Sequence, residues 1–430
     1  MDNKLYCGLS MRDITPAFPI ALAGYAARWG KLSNGKAHDP IYIKALYVNS
    51  IEPFLLLSAD VCELSNDNII ESKIKAATGI NTVIIASTHT HSAPYTVRPA
   101  SNPEFFDKEW YSYFIEQAVA AAKDAINNSF EAYICASQSP LPGIAKNRRD
   151  LSGITDNDLS FISIFDKNDT LRGMLVHFTC HCTVLDANND MISADYPAYI
   201  YKNLNDKYPD SVVMFFNGAA GDINIGYSSD DSALGVKMDF RSFKKANEIG
   251  TAISKKINNM LPQSEKIKPA IFNVCKSALE LPLKSDLPDK KTLINKIKKQ
   301  SDIISNAHSA EERRKGKLEK IYMQSLLDSL DLAGNGKSCT LTSYQIVLGK
   351  WMLITLPLEL FCKIGIDLKK KASALGYKLC IIGYAGGYYG YLPTEEAFLK
   401  GGYEAEVTPF SSSAAAVLVQ SLTRQMRECK

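Results

Sequence analysis

Four of the six histidines stand in two close pairs. His89 and His91 flank one threonine, and His177 and His181 are four residues apart. Both pairs follow or end an apolar run that is typical of a β-strand, and ligands commonly bind at the carboxyl ends of strands in open α/β sheets. Alternation along a strand would point both members of a pair to one side. The clustering therefore predicts a site to which two strand ends contribute imidazoles.

Imidazole is a common ligand of Zn²⁺, and catalytic zinc sites usually combine histidines with a carboxylate and keep one position for water. Four carboxylates that interrupt apolar runs are candidate ligands, histidine partners or helix caps: Asp60, Asp195, Asp222 and Glu359. For Asp60 and Asp195 the helix cap is the simpler interpretation. Glu359 stands between the apolar segments LPL and LF, so it needs a partner if it is buried. A metal ion or a salt bridge would supply that partner.

The segment NGAAGD (217–222) follows another apolar run. Its small residues would let the backbone approach a ligand, form an oxyanion hole or pack closely against another segment. The Lys-Ser/Thr of a phosphate-binding loop does not follow it, and the sequence contains no G-x-S-x-G nucleophile elbow. Phosphate-loop chemistry and a serine hydrolase of that type are therefore disfavoured.

The elements that must position these residues alternate between short apolar runs and helical patterns. The predicted strands are 43–48, 54–58, 82–87, 161–165, 174–178, 212–216 and 351–355, and the predicted helices include 107–126 and 243–261. We expect an α/β fold, with a mixed, largely buried sheet flanked by helices, in a single domain over 1–430. Two amphipathic patterns within 283–332 predict a helical-hairpin insertion, which could line a substrate cleft or contact a second copy in a homo-oligomer.

Composition excludes several classes of protein. The 430 residues are 46% hydrophobic and 22% charged, which rules out wholesale disorder, and the net charge of +3 gives no reason to expect nucleic acid as a partner. The ten cysteines are scattered, several in apolar runs, which favours buried thiols over a disulfide framework. No apolar segment reaches the roughly 18 residues that cross a bilayer, and the N-terminus is a poor signal peptide. These features predict a soluble, reduced, cytoplasmic protein.

The ordered motifs resemble the N-terminal catalytic domain of the neutral/alkaline, non-lysosomal ceramidase family. They span almost the whole chain: GLSMRDITP (8–16), LAGYAAR (22–28), HDPIYIKAL (38–46), LLLSAD (55–60), ASTHTHSAP (86–94), NRR (147–149), HFTCHCTVL (177–185), ISADYP (192–197), FFNGAAGDIN (215–224), LPLEL (356–360) and GYLPTEEAFLKGGYEAEVT (390–408). The resemblance implies a zinc-dependent hydrolase that cleaves an amide or ester bond in a small or amphiphilic substrate by metal-activated water.

The resemblance also implies roles for individual residues. Four positions match the family's ligands of one zinc ion per chain: His89, His181, Glu359 and Tyr391. Three match groups that act on the substrate, namely His91 in proton transfer, and Arg148 and Tyr403 in contact with the scissile amide. No family role falls on His177, which we interpret as a structural or supporting residue.

Departures from the family leave the substrate open. Asn224 stands where ceramidases have a serine that has been discussed as a nucleophile, which excludes an acyl-serine at this position. The sequence ends soon after the Tyr403 motif, without room for the family's immunoglobulin-like domain, and it displays no apolar stripe for two long alkyl chains. Alternative hypotheses are a lactonase or esterase that acts on a sugar-derived acid, a zinc-dependent binding protein without turnover, and a structural protein without metal.

Overall fold

The structure is a computed structural model that describes residues 4–268, 272–334 and 336–429. Its strands are β1 Tyr6–Asp13, β2 Tyr42–Asn49, β3 Phe54–Ala59, β4 Thr82–Ser87, β5 Phe130–Pro140, β6 Lys146–Asn147, β7 Asp158–Asp166, β8 Leu171–Phe178, β9 Val212–Asn217, β10 Ile223–Asn224, β11 Glu265–Lys266, β12 Phe272–Pro282, β13 Ser338–Leu348, β14 Trp351–Thr355, β15 Glu359–Leu360, β16 Lys378–Ile382 and β17 Tyr391–Leu392. Its helices are α1 Ile69–Thr78, α2 Lys108–Asn127, α3 Tyr196–Asn205, α4 Ser229–Ala233, α5 Phe243–Met260, α6 Lys290–Ser305, α7 Ala310–Ala333, α8 Cys362–Ala374, α9 Glu395–Lys400, α10 Tyr403–Val407 and α11 Ala414–Glu428.

The larger sheet has the strand order β4-β3-β2-β1-β5-β7-β8-β9, with β11 paired to β5. Most of its neighbours are antiparallel, but β3 and β4 are parallel, and so are β8 and β9. A smaller sheet has the order β12-β13-β14-β16, in which β14 and β16 are parallel. The carboxyl ends of β4, β8, β9, β14 and β16 lead into the loops that carry the candidate site residues. The predicted mixed sheet is confirmed.

The two sheets pack face to face, with helices on their outer faces. One face of the larger sheet packs against α2, α3 and α5. Its other face meets the smaller sheet, whose outer face packs against α8 and α11. Alternation along β14 makes this visible, because Trp351 and Leu353 face the larger sheet while Met352 and Ile354 face the helices. Both faces of β14 are therefore covered, which explains its nearly continuous apolar sequence. The sequence predicted this burial but attributed it to helices alone.

Each predicted strand falls within an observed one, and 82–87 and 351–355 match β4 and β14 residue for residue. The predicted helices correspond to α2 and α5. The predicted hairpin is also confirmed, because α6 and α7 pack against each other through Leu293, Leu327 and Leu330. A capping box begins α7, in which Ser309 accepts from the backbone of Glu312 and the Glu312 carboxylate accepts from the backbone of Ser309.

The cysteines depart from the prediction at one pair. Cys275 of β12 forms a disulfide with Cys429, which follows α11, whereas the other eight cysteines in the described chain are buried and free. The expectation of thiols alone was wrong because Cys275 and Cys429 are 154 residues apart in sequence, and only the packing of α11 brings them together. Disulfides are more typical of oxidising compartments, so the cysteines no longer favour the cytoplasm. Among the described residues, no helix combines the length and hydrophobicity needed to cross a bilayer.

Thiol titration of the unfolded protein tests this disulfide. Without reductant we expect eight reactive thiols, and after reduction all ten. Because the disulfide closes a long loop in the unfolded chain, the Cys429→Ser variant should lose about 2–5 kcal/mol of stability in non-reducing denaturant titrations. Cys339→Ser, which removes a buried free thiol, is the matched control and should keep the dependence of stability on reductant. Ten thiols before reduction would contradict the disulfide.

Candidate metal centre

Three buried side chains direct ligand atoms to one point. The Nε2 atom of His181 lies 3.0 Å from Oε2 of Glu359, and Nε2 of His89 lies 3.5 Å from the same oxygen. Each of the three side chains is 1–2% exposed. A tetrahedral zinc ion with bonds of about 2.0–2.1 Å separates its ligand atoms by about 3.3 Å. The donor set and its spacing therefore fit a bound metal ion.

His89 lies beyond the end of β4, in a turn that fixes its ring. Its backbone has φ +65°, which is uncommon for a residue with a side chain, and its N–H donates to the carbonyl of Val61. Ring atom Nδ1 is 2.7 Å from the carbonyl of Cys62, so it carries the proton and leaves the Nε2 lone pair free. The prediction that strand alternation orients His89 was wrong; a turn does so.

His181 is held in the same way from a different segment. Its backbone N–H donates to the carbonyl of Ile223, and its Nδ1 is 2.9 Å from the same oxygen. Strand β8 ends at Phe178, so the strand does not continue through His181 and strand alternation does not orient its ring. His177 remains in the strand, and its Nε2 lies 2.7 Å from the carbonyl of Ile381 in the smaller sheet. The two histidines therefore face different parts of the protein.

Glu359 in β15 is the anionic member of the cluster. Burial alone would raise the pKa of Glu359, so the carboxylate needs compensating partners in order to stay ionised. Its carboxylate also accepts hydrogen bonds from the hydroxyls of Tyr388 and Tyr384. With both Nδ1 atoms donating to carbonyls, the two Nε2 lone pairs face this carboxylate. A cation between them satisfies all three ligand atoms.

The NGAAGD segment joins the parts of the site rather than exposing its backbone to a ligand. Gly221 N–H donates to the carbonyl of Leu360, and a Cβ on Gly221 would lie 2.4 Å from the carbonyl oxygen of Glu359. The Asp222 carboxylate accepts from Cys362 N–H and from Asn147 Nδ2, each at 2.7 Å. Of the three predicted roles, the structure therefore supports close packing. Asp222 has a structural role, because its carboxylate connects the segments that carry Asn147 and Cys362.

The other two carboxylates have different roles. Asp195 caps α3 as predicted, because its side chain accepts from Tyr196 N–H. Asp60 caps no helix; it accepts from Tyr42 N–H and Tyr201 hydroxyl, and it lies 3.9 Å from the buried amine of Lys44. The cap interpretation of Asp60 was wrong because the chain turns after β3 without starting a helix. These contacts fix the start of the loop in which the carbonyls of Val61 and Cys62 accept hydrogen bonds from His89.

His91 lies beside the ligand atoms. Its Nε2 is 3.1 Å from Nε2 of His89. Burial, together with the neighbouring His89 and His181, holds the pKa of His91 well below its usual range, so the ring is neutral. Its other face contacts Gly24, where an added Cβ would lie 2.3 Å from the imidazole. His91 is therefore oriented towards the cluster by close packing.

The remaining predicted residues lie together on one side of the cluster. Tyr391 pairs in parallel register with Glu359, and its hydroxyl accepts from Nη2 of Arg148 at 3.1 Å. Burial and the nearby Glu359 raise the pKa of Tyr391 well above its usual range. The Tyr403 ring centre is 5.8 Å from that of Tyr391, and its hydroxyl lies 3.2 Å from Oγ of Ser325 in α7. The structure thus brings every predicted site residue into one region.

Sequence reasoning missed three supporting residues. Glu404 is completely buried and accepts from Nε of Arg148 and Nη1 of Arg149, so it fixes both guanidinium groups. Tyr384 stacks on the His89 ring at 4.1 Å, and Tyr388 bonds Glu359. The composition of the Gly/Tyr-rich segment 383–390 favours a close backbone approach or a sharp turn, but it does not identify the partner of either tyrosine.

Metal content tests the donor set independently of any activity. Protein purified without chelators should contain about one zinc ion per chain, and His181→Ala should lose it because a ligand atom is removed. His177→Ala is the matched control, since its ring faces the smaller sheet, and it should retain the metal. Elemental analysis measures the metal content of each protein, and circular dichroism verifies that each variant is folded. Retention of metal by folded His181→Ala would contradict the assigned donor set.

Comparison with known proteins agrees with the fold. No family model and no curated protein sequence matches the chain. The structure is similar to neutral ceramidase from Pseudomonas aeruginosa, with a TM-score of 0.75 and 18% identity over 99% of this chain and 74% of that one. It is also similar to a ceramidase complexed with C2, with a TM-score of 0.73 and 16% identity over 99% and 75%. The chain therefore has the neutral ceramidase fold, as its sequence motifs predicted.

Proposed function

We propose that the protein is a zinc-dependent hydrolase that cleaves the amide bond of an N-acyl compound. The observation that carries this proposal is the buried cluster of His89, His181 and Glu359, set in the fold of proteins that are named ceramidases. Two imidazoles with one carboxylate are a donor set typical of catalytic zinc. Tyr391, in register with Glu359, is the proposed fourth protein ligand.

Zinc bound by these residues would activate a water molecule near neutral pH and polarise the carbonyl group of the substrate. The protein's own groups would then manage protons and charge. His91 takes a proton from the attacking water at Nε2 and returns it to the departing amine, which leaves far more readily when protonated. Its Nδ1 has no hydrogen-bond partner among the described residues, so the close packing on Gly24, rather than a hydrogen bond, orients the ring.

Arg148 and Tyr403 are the proposed stabilisers of the developing oxyanion. Arg148 is fixed by Glu404 on one side and donates to the Tyr391 hydroxyl on the other, so its guanidinium needs little reorganisation during the reaction. Tyr403 is held by Ser325 and by the ring of Tyr322 at 5.4 Å. Preorganised donors of this kind are usually the largest single contribution to such catalysis.

Asn224 supports the water route. Its Oδ1 accepts from the N–H groups of Gly226 and Tyr227, and its Nδ2 donates to the carbonyl of Tyr227. The side chain is thus fully used in a turn, and its presence in place of a serine leaves the metal-binding cluster intact. A binding protein without turnover would have no need of His91 at the cluster, which makes that alternative weaker.

A substrate panel tests the activity. Purified protein should hydrolyse at least one N-acyl amide, and chelation should abolish the reaction while added zinc restores it. Esters and sugar-derived lactones belong in the panel, because the same cluster could attack their carbonyl groups. Turnover of lactones alone would favour the lactonase hypothesis. Stoichiometric zinc without turnover of any compound would count against the hydrolase.

The role of His91 is tested by His91→Ala, which should retain zinc but lose about 10²-fold or more in kcat, because the proton-transfer group is removed. Metal content and steady-state hydrolysis are measured on the same preparation. Full activity in this variant would exclude proton transfer by His91.

Gly24→Ala gives an independent test of the same role. The new methyl group would displace the His91 ring, so metal content should persist while kcat falls. Gly143→Ala is the matched control: its backbone has φ +93°, close to the +94° of Gly24, but an added Cβ would have no atom within 4 Å. A similar loss of activity in both variants would mean that backbone strain, rather than His91, is responsible.

A further inference from the structure

A cleft of about 140 Å³ leads to the metal-binding cluster. Its floor contains His89, His91 and Glu359, and part of its wall is formed by α7 of the helical hairpin. A cavity of about 150 Å³ accommodates a molecule the size of benzene. The cleft therefore admits one small group beside the cluster, and larger substituents must extend beyond its rim.

One face of α7 forms this wall. Tyr322, Ser325, Ser329 and Leu332 are spaced by three or four residues, so they share a helix face. Ser325 contacts the Tyr403 hydroxyl, and Ser329 Oγ lies 3.5 Å from where a Cβ on Gly390 would be. The opposite face, with Leu327 and Leu330, packs on α6. The hairpin thus presents a dedicated surface to the site.

The wall is anchored at several points along α7. Asp328 accepts hydrogen bonds from Ser101 N–H at 2.7 Å and from Ser101 Oγ at 2.8 Å. The Tyr322 hydroxyl donates to Asp230, and Arg314 pairs with Asp231 at 2.9 Å. These contacts join α7 to two separate segments of the main fold. One wall of the cleft is therefore a helix that is fixed to the main fold.

The lining of the cleft combines aromatic and apolar side chains, among them Trp29 and Val97, with charged groups that a long alkyl chain would have to cover. Glu63 and Asp328 contribute carboxyl groups to its wall, and the exposed Arg98 and Asp331 line it further out. Asp328 is hydrogen-bonded to Ser101, but an alkyl chain that covered Glu63, Arg98 and Asp331 would remove water from them without offering hydrogen bonds, which costs free energy. A short group with hydrogen-bonding atoms would avoid this cost.

We propose that α7 is the specificity element of this cleft, and that it restricts the substrate to N-acyl compounds whose group within the cleft is short and polar. Amides that carry long alkyl chains on both sides of the scissile bond are poor substrates on this account. The proposal rests on the proposed hydrolase activity and deepens it by naming the class of substrate.

Two matched substrate series test the proposal on the zinc-loaded wild-type protein. In one, a small fixed amine carries acyl groups from acetyl to palmitoyl; in the other, a fixed acetyl group is joined to amines of increasing chain length. We expect kcat/KM to fall by about tenfold or more with chain length in at least one series. A kcat/KM that is constant or rises with chain length in both series would overturn the proposal.

Variants of α7 then test whether its side chains cause the preference for short substrates. Leu332→Ala removes a lining side chain and should raise kcat/KM for the longer substrates relative to the shortest by about tenfold. Leu326→Ala is the matched control, because Leu326 packs against the core of the hairpin and does not line the cleft, and it should leave this ratio unchanged. An equal ratio in the two variants would overturn the role of α7.

The outcomes separate this proposal from the one on which it rests. If no N-acyl compound of any length is hydrolysed by zinc-loaded protein, the hydrolase proposal fails and takes the specificity proposal with it. If hydrolysis occurs and long chains are preferred, the hydrolase stands and only the specificity proposal fails. If Leu332→Ala does not fold, Leu332→Trp provides a second test, because the larger side chain narrows the same cleft. In Leu332→Trp, kcat/KM for the longer substrates relative to the shortest should fall below the wild-type value. An unchanged ratio would contradict the role of α7.

Discussion

The charge of Glu359 is the constraint on which the rest of the site depends. An ionised carboxylate that is 1% exposed costs several kcal/mol to bury unless hydrogen bonds and opposite charge compensate it. Two tyrosine hydroxyls supply part of this compensation. The histidine nitrogens that face the carboxylate supply lone pairs, because each ring donates its proton to a backbone carbonyl. A metal cation would complete the arrangement, because without one nitrogen lone pairs would face a carboxylate in the interior.

The fold meets this constraint by bringing the ends of strands from both sheets to one place. His89 follows β4 and His181 follows β8, whereas Glu359 lies beyond β14 of the smaller sheet. The loop from Gly221 to Ile223 connects them, since Gly221 bonds the Glu359 segment and the Ile223 carbonyl orients His181. Glycine is needed at position 221 because its backbone approaches that of Glu359 too closely for a Cβ atom.

The helical hairpin contributes side chains to the cleft beside the metal-binding cluster. The cluster, Arg148 and Tyr403 account for the proposed reaction, and α7 adds side chains that line one wall of the cleft of about 140 Å³ beside the cluster. A fold often hosts more than one substrate, and on our proposal the difference in substrate comes from a helix that contacts Tyr403 through Tyr322 and Ser325.

The sequence by itself determined the mixed α/β class, the strands around the histidines and the hairpin, because period-2 and period-3.6 patterns and apolar runs are local properties. The paired histidines and the isolated Glu359 also identified candidate ligands, since their residue types and spacing are visible along the chain. Only the tertiary structure decided how these residues meet: the second sheet, the turn at His89, the end of β8 before His181 and the Cys275–Cys429 disulfide all depend on contacts between distant segments. The burial of Glu404 against two arginines is of the same kind, since a charged residue in a short helix carries no local sign of its partners.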